Sequence, residues 1–155
     1  TEYLMELVGE GAKVAELQGV PGASATIDRG AGFHQVADQS LQVAASQTAN
    51  FNRAEGMTVM ENILQSDGTI KGVFAHNDEM ALGAVEAVAA SGKDIKIVGF
   101  DATDDAQKAV KDGKMAATVA QKPDKMGETA IGTAVKIMAG ETVEKSIPVE
   151  VELIK

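Results

Sequence analysis

Cysteine and tryptophan are absent from this 155-residue chain, and aromatic residues make up only 3% of it. The lack of cysteine excludes disulfides and cysteine nucleophiles. Because rings are so few, the interior must be filled by Ala, Val, Ile, Leu and Met, within a chain that is 45% hydrophobic. No apolar run reaches the roughly 18 residues of a membrane span. The composition predicts one domain with a real core.

Positive charge is also scarce. There are 14 Lys and Arg against 23 Asp and Glu, which gives a net charge of −9 at pH 7. This balance argues against nucleic acid and against an anionic membrane surface as partners, because both would repel the chain. An initiator Met is missing as well, and the sequence opens with T-E-Y-L, inside what reads as a helix. We therefore expect an upstream part, and the lack of a signal peptide decides nothing.

The stretch from Val73 to Gly92 organises the chain: V-F-A-H-N-D-E-M-A-L-G-A-V-E-A-V-A-A-S-G. A short apolar run reads as a buried strand, a polar turn follows, and an apolar stripe at helical spacing ends at Gly92. Either Asn77 or Asp78 can cap the helix. The other is then free at the carboxyl end of a strand, where open α/β sheets bind ligands.

Strand-like and helix-like segments alternate from Lys13 to Gly113, which predicts βαβ units and a parallel sheet with helices on both faces. The predicted strands are 13–18, 41–47, 72–75, 95–100, an extended piece at 115–120, and 149–154. The predicted helices run from the N-cap Ser24 to Asp38, over 55–65, from Asp104 or Asp105 to before Gly113, and over 124–138.

Four polar or aromatic residues fall at the ends of these strands or just inside the next helix: Arg29, Phe51, Asn77 and Asp101. In a parallel sheet they share one edge. A guanidinium, a ring, an amide and a carboxylate suit a neutral polyol, because they donate to and accept from hydroxyls and cover a sugar's C–H face. Each also has a structural reading: a solvated charge, a core ring, a turn former or a cap.

The sequence predicts no catalytic site. His34 and His76 are the only histidines and lie in no metal-binding spacing. Ser24 is not in a nucleophile elbow, and the loop from Gly19 to Gly22 is not a phosphate-binding G-x-G-x-x-G. We expect His34 to be structural or at the surface and His76 to point away from its neighbours. We therefore predict a protein that is not an enzyme and holds no metal or cofactor.

Several motifs together resemble bacterial ribose-binding proteins, the sugar receptors of ABC transporters. They are E-L-Q-G-V-P-G-A-S at 16–24, D-R-G-A-G-F at 28–33, N-D-E-M-A-L-G-A at 77–84, V-G-F-D at 98–101 and D-G-K-M-A-A-T-V-A-Q at 112–121. The resemblance covers essentially the whole chain but only the second half of that family, which has two α/β lobes around the sugar.

The resemblance implies a three-layer α/β/α lobe of a type I periplasmic binding protein, with the flavodoxin-like strand order 2-1-3-4-5. It implies that residues 1–121 form the sugar-binding lobe and that residues 122–155 supply a helix and a strand that cross to the other lobe. It also implies five sugar contacts: Arg29, Phe51, Asn77, Asp101 and, from the family alone, Gln121. The chain departs from the family's usual residues at Thr26-Ile27, at His76, where Gln is frequent, and at Ala102, where Gly is usual.

The function implied is that of a half-receptor for D-ribose or a similar monosaccharide. The whole protein would serve a membrane permease of an ABC transporter and lie in the periplasm or at the outer face of the cell membrane. The alternative is the effector-binding core of a LacI-type transcriptional repressor, although the segment Val110–Met115 has the binding-protein form. A phosphoryl-transfer receiver is a third class, but Gly19 and Gln121 stand where it would need clustered acids and a Lys.

The predicted helix over 124–138 places Met126, Ala130, Ala134, Ile137 and Met138 close to one face. The family covers this face with the other lobe. Bare, it would form an apolar patch of a size that monomers rarely expose. Either the helix folds back onto its own sheet, or two chains pair with twofold symmetry through the segment from Ala120 to Pro123. We expect the homodimer.

Overall fold

A computed structural model describes all of residues 1–155, which form six strands and six helices. The strands are β1 (Lys13–Gln18), β2 (Gln42–Thr48), β3 (Gly72–Ala75), β4 (Lys96–Phe100), β5 (Ala117–Ala120) and β6 (Glu152–Ile154). The helices are α1 (Glu2–Val8), α2 (Ser24–Ser40), α3 (Arg53–Ser66), α4 (Asp78–Ser91), α5 (Asp104–Lys111) and α6 (Pro123–Met138).

The six strands form one sheet in the order β2-β1-β3-β4-β5-β6. The first five are parallel, and β1 pairs with β3 in the register Val14 to Gly72. This confirms the predicted order 2-1-3-4-5. β6 adds to the open edge and is antiparallel to β5, with Thr118 opposite Ile154.

Two hydrophobic cores lie on opposite faces of the sheet, because successive strand side chains point to opposite sides. In β3, Val73 and Ala75 belong to the larger core, which α3, α4 and α5 cover. Phe74 points the other way and stacks on Phe33 of α2, 5.2 Å between ring centroids, beneath α1 and α2. The molecule is therefore a three-layer α/β/α structure.

The closest contact between helices joins α3 and α4, and it depends on glycine. A Cβ atom at Gly83 would lie 2.1 Å from the backbone oxygen of Arg53 and 2.6 Å from the nitrogen of Met57. A Cβ atom at Gly56 would lie 2.7 Å from Met80. The two helix backbones can approach this closely only where neither position carries a side chain.

Several predicted boundaries were wrong by a few residues. Ser24 is not the N-cap of α2: it is already helical, Ala23 holds the extended cap conformation, and no side chain caps this helix. α3 begins at Arg53 because Asn52 accepts a hydrogen bond from the Glu55 N–H. The last strand covers only residues 152–154 of the predicted 149–154, since only these pair with β5.

The terminal helix stands apart from the two cores. α6 has no buried residue. Four of the five residues of its predicted apolar face line a shallow groove of about 390 Å³ together with Ile147 and Val149; the fifth, Met138, lies outside it. Met126 is 47% exposed and Ile137 is 56% exposed. The helix has therefore not folded back onto its own sheet. None of the six helices is both long and apolar enough to cross a membrane.

Candidate functional site

The carboxyl ends of β1 to β5 lie along one edge of the sheet, because all five strands run in the same direction. The loop after β2 carries Phe51, the turn after β3 carries Asn77, and β4 and β5 are followed directly by Asp101 and Gln121. Arg29 reaches this edge from α2. The structure therefore brings all five predicted site residues to one edge of the sheet.

Asp101 is the centre of the arrangement. Its Oδ1 atom accepts hydrogen bonds from Arg29 Nη2 at 3.1 Å and from Gln121 Nε2 at 2.6 Å. The Arg29 guanidinium also lies 4.0 Å from the centroid of the Phe100 ring and donates to the carbonyl of His76. The Arg29 side chain is only 14% exposed, whereas that of Asp101 is 31% exposed. The carboxylate is thus oriented by two donors and still open to solvent.

Asn77 and Phe51 form a second pair at the same edge. Asn77 is the cap of α4, since its Oδ1 accepts from the Met80 N–H at 3.0 Å. Its Nδ2 lies 3.4 Å from the carbonyl of Phe51 and donates to it. The Phe51 ring packs over Gly19 and is partly buried against the larger core. Phe51 therefore has both a core contact and an exposed part.

Asp78, the neighbour of the cap Asn77, was expected to be free at the edge of the sheet, but it does not face that edge. Asp78 is fully buried. It accepts from Thr118 Oγ1 at 2.6 Å and from the Thr103 N–H at 2.8 Å. Burial raises the pKa of Asp78, and these hydrogen bonds oppose the rise. Asp78 thus ties α4 to β5 and to the turn that presents Asp101.

Two loops at this edge hold strained backbone. The four non-glycine residues with positive φ are Asn50 (53°), Phe51 (59°), Asp101 (113°) and Ala102 (52°). Such conformations cost about 1–3 kcal/mol each and persist where the surroundings enforce them. Two hydrogen bonds hold the backbone conformation of Ala102. Its N–H donates to Thr118 Oγ1 at 3.2 Å, and the side chain of Gln107 donates to its carbonyl.

A buried ionic group lies beneath the site. Glu16 of β1 has no exposed surface, and its carboxylate accepts from His76 Nε2 at 2.9 Å, from Gln18 Nε2 at 3.0 Å and from Ser46 Oγ. Burial alone raises the pKa of Glu16, but these hydrogen bonds outweigh it and lower the pKa to about 2. The carboxylate is therefore ionised at neutral pH.

The two histidines are part of this support. His76 is fully buried, with its ring against Glu16. His34 lies at the surface end, with Nδ1 2.7 Å from Asp38 and Nε2 3.3 Å from Glu16. No group of three or more His, Asp or Glu side chains is placed to hold a metal ion.

The buried supports Glu16, Asp78 and Thr118 were missed by reasoning from the sequence. For Glu16 the available signal was a single carboxylate within the apolar stretch V-A-E-L; Asp78, which lies in the polar turn H-N-D-E, gave no such signal. A charge that cannot reach water must be paired. Its partner, however, comes from a distant part of the chain, 60 residues away for Glu16 and His76.

The site offers one carboxylate, one guanidinium, two amides and a ring, which are groups that bind hydroxyls and C–H faces. Solvent reaches this edge at the Asp101 side chain, which is 31% exposed. Fold and site together define an α/β lobe of the ligand-binding type, with these groups along the carboxyl edge of its parallel sheet.

The chain belongs to the periplasmic binding protein domain family, which it matches over residues 1–142. It is 54% identical to the ribose import binding protein of Bacillus subtilis over 151 residues, which are 97% of this chain and 50% of that protein. The chain thus spans about half the length of the curated relatives it matches.

Solved structures agree with the fold. An ABC transporter solute-binding protein from Actinobacillus succinogenes with bound D-allose superimposes with a TM-score of 0.90 at 32% identity, over 99% of this chain and 56% of that one. One from Bacillus halodurans with bound myo-inositol gives 0.87 at 39% identity, over 99% and 54%. These relatives are binding proteins of transport systems and give no support to the repressor alternative.

Proposed function

We propose that this chain is the sugar-binding lobe of a ribose-type solute-binding protein serving an ABC transporter. The observation that carries the proposal is the Asp101 carboxylate, held by Arg29 and Gln121 at the open edge of the sheet. The relatives whose names specify ribose import support D-ribose or a similar monosaccharide as the ligand.

In this proposal each of the five residues has a role that follows from its chemistry. Asp101 uses its second oxygen to accept from sugar hydroxyls, while Arg29 and Gln121 fix its orientation and donate to the sugar oxygens. Asn77 directs its amide at a further hydroxyl, and Phe51 covers a C–H face. These contacts bind a neutral sugar without chemical change, so we propose no enzymatic activity.

In the whole protein, a first lobe would complete the enclosure and a permease in the membrane would receive the sugar. Relatives described as import binding proteins support this setting, at the periplasmic or outer side of the membrane. The division at residue 121 follows the same reasoning: residues 1–121 carry the site, and α6 would pack on the first lobe, whereas β6 returns to this sheet beside β5. The absence of any buried residue in α6 supports this division.

The test is an NMR titration of the chain with D-ribose. We expect amide shifts confined to the edge that carries Asn77, Asp101 and Gln121. Asp101→Asn should weaken binding about tenfold or more, because a hydrogen bond to a charged group is worth about 1.5–3 kcal/mol. Asp94→Asn, at an exposed position, is the matched control and should change nothing. Equal affinities for both variants would remove Asp101 from the site.

We also propose that the isolated chain forms a homodimer through the α6 groove, defined by Met126, Ala130, Ala134, Ile137, Ile147 and Val149. Six of the ten residues that line the groove are hydrophobic, and the chain itself does not cover it. A second copy would bury it with twofold symmetry, in the place that a first lobe would occupy.

A further inference from the structure

His76 lies directly behind the candidate sugar site and uses both of its ring nitrogens. The side chain has no exposed surface. The Gly19 N–H donates to Nδ1 at 3.4 Å, and Nε2 lies 2.9 Å from Glu16 Oε1. Since Nδ1 accepts a hydrogen bond, the ring proton is on Nε2 and is donated to Glu16. One donor and one acceptor are therefore engaged on opposite sides of the ring.

The acceptor side of the ring controls the position of Phe51. Gly19 is the residue whose N–H is held by His76, and a Cβ atom at Gly19 would lie 2.0 Å from Cζ of the Phe51 ring. The carbonyl of Gly19 is fixed as well, by Thr48 Oγ1 at 2.9 Å. The ring of Phe51 thus rests on a backbone segment that His76 holds in place.

The backbone carbonyl and the ring of His76 both affect the position of Arg29. The His76 carbonyl accepts from Arg29 Nη1. Helix α2, which carries Arg29, packs through Gly30 on the His76 imidazole and the Glu16 carboxylate. A Cβ atom at Gly30 would lie 3.3 Å from His76 Cε1 and 3.4 Å from Glu16 Oε1. The depth at which α2 lies is therefore set by the imidazole and the carboxylate beneath it.

We infer that His76 and Glu16 act as a positioning pair, which holds Arg29 and Phe51 in the geometry that binds sugar. Neither residue touches the ligand: both are fully buried. The inference rests on the function proposed above. It adds two residues that would affect sugar binding without contacting the sugar.

The hydrogen bonds of the pair predict which substitutions of His76 preserve its role. An amide also supplies one donor and one acceptor, so His76→Gln can serve Glu16 and the Gly19 N–H in part. His76→Leu fills the space but leaves a buried carboxylate without its main partner, which is costly. Leu4→Ala is the matched control, because Leu4 is equally buried but packs on Gly72 at the opposite edge of the sheet.

The experiment measures D-ribose affinity by NMR for these three variants and for the unsubstituted chain. We expect His76→Leu to weaken binding about tenfold, the equivalent of one lost hydrogen-bonded contact, with His76→Gln recovering most of it and Leu4→Ala unchanged. Unchanged affinity in a folded His76→Leu chain would overturn the inference. So would equal weakening by Leu4→Ala, because the effect would then be general destabilisation.

Two sugar-free measurements separate this inference from the proposed function. The ¹⁵N shifts of the His76 ring should show the Nε2–H tautomer, and an Nδ1–H tautomer would overturn the pair even if His76→Leu fails to fold. The Arg29 Nε–H and Phe51 ring signals should move in His76→Gln less than in His76→Leu, and not in Leu4→Ala. If these hold while no variant responds to sugar, the pair stands as a positioning device and the proposed function fails.

Discussion

Ala102 holds a left-handed backbone conformation directly after the carboxylate at the centre of the site, with φ at 52°. This explains why the resembling family uses glycine there: for an L-residue with a Cβ atom, the conformation costs about 1–2 kcal/mol. The hydrogen bonds of its N–H to Thr118 and of its carbonyl to Gln107 keep the turn in place.

Ala102→Gly should therefore stabilise the chain. We expect the free energy of unfolding to rise by about 0.5–1 kcal/mol, which is the relief of strain less the extra entropy of glycine in the unfolded chain. Chemical denaturation measures it. Ala89→Gly, in the exposed part of α4, is the control and should lower the free energy of unfolding; a loss of stability in both variants would contradict the strain at Ala102.

His34 gives a pH dependence of stability. The hydrogen bond that His34 donates to Asp38 raises the pKa of His34, burial lowers it somewhat, and the nearby Glu16 charge raises it further. Because the folded pKa is above the unfolded value of 6.5, the stabilisation is complete below that pH and is lost as the pH rises through the folded pKa.

Denaturation of the chain and of His34→Gln between pH 5 and 8 should show this directly. The stability advantage of the unsubstituted chain should be largest at the acid end and shrink towards the alkaline end. An advantage that stays constant or grows with pH would contradict the assigned partners of His34.

Single residues were predicted best where their chemistry is local. The end of β4 and the position of Asp101 follow from V-G-F-D, and Gly92 ends α4 with φ at 67° as its place predicts. The choice between Asn77 and Asp78 as the cap could not be made locally. It depends on Thr118, 40 residues further on, which gives Asp78 a buried partner.

At the scale of elements, the junction of α3 and α4 is the most demanding contact in the molecule. Gly83 faces the backbone of α3 at distances that leave no room for a methyl group. We expect Gly83→Ala to lower the free energy of unfolding by about 3 kcal/mol, the upper range for overpacking, because backbone atoms cannot move aside as a side chain can.

Gly32→Ala is the matched control for that change. Gly32 also lies within a helix, but nothing lies within 4 Å of the atom that would be added. There the higher helix propensity of alanine should stabilise the chain by about 0.5–1 kcal/mol. Equal effects of the two substitutions would show that the close packing of α3 and α4 is not what restricts Gly83.

The sequence predicted the existence and type of all the central elements, because a buried parallel strand such as G-V-F-A and a helix stripe such as that of α4 have distinct periods. Boundaries at α2, α3 and β6 were less accurate. A cap at Ala23 has no side-chain signal, and the length of β6 is fixed by how much of β5 remains to pair with it.

At the scale of the whole molecule, the α6 groove decides how the chain behaves alone. Sedimentation equilibrium at micromolar concentration should show a species of twice 16.0 kDa, because an exposed apolar groove favours association. Ile137→Glu should give a monomer, while Glu141→Gln, outside the groove, should not. A single species of 16.0 kDa for the unsubstituted chain would rule the dimer out.

The proposed site lies on one lobe only, and this would limit its affinity. A pentose has about ten heavy atoms, and its binding energy has a ceiling near −15 kcal/mol only when it is fully enclosed. In the function proposed above, the edge formed by Arg29, Phe51, Asn77, Asp101 and Gln121 would contact one side of a sugar and would have no opposing surface to close over it. The geometry of that edge supports recognition, whereas tight binding would need the first lobe.

The dissociation constant of the isolated chain for D-ribose tests this account most directly. It can be read from the shift of the Gln121 side-chain amide as the sugar is added, with Asp101→Asn as the reference for a disabled site. We predict a saturable shift with a dissociation constant that is millimolar or weaker, and a weaker one still for the variant. A micromolar constant, or no response at the Asp101 edge at any sugar concentration, would contradict a half-site at this edge.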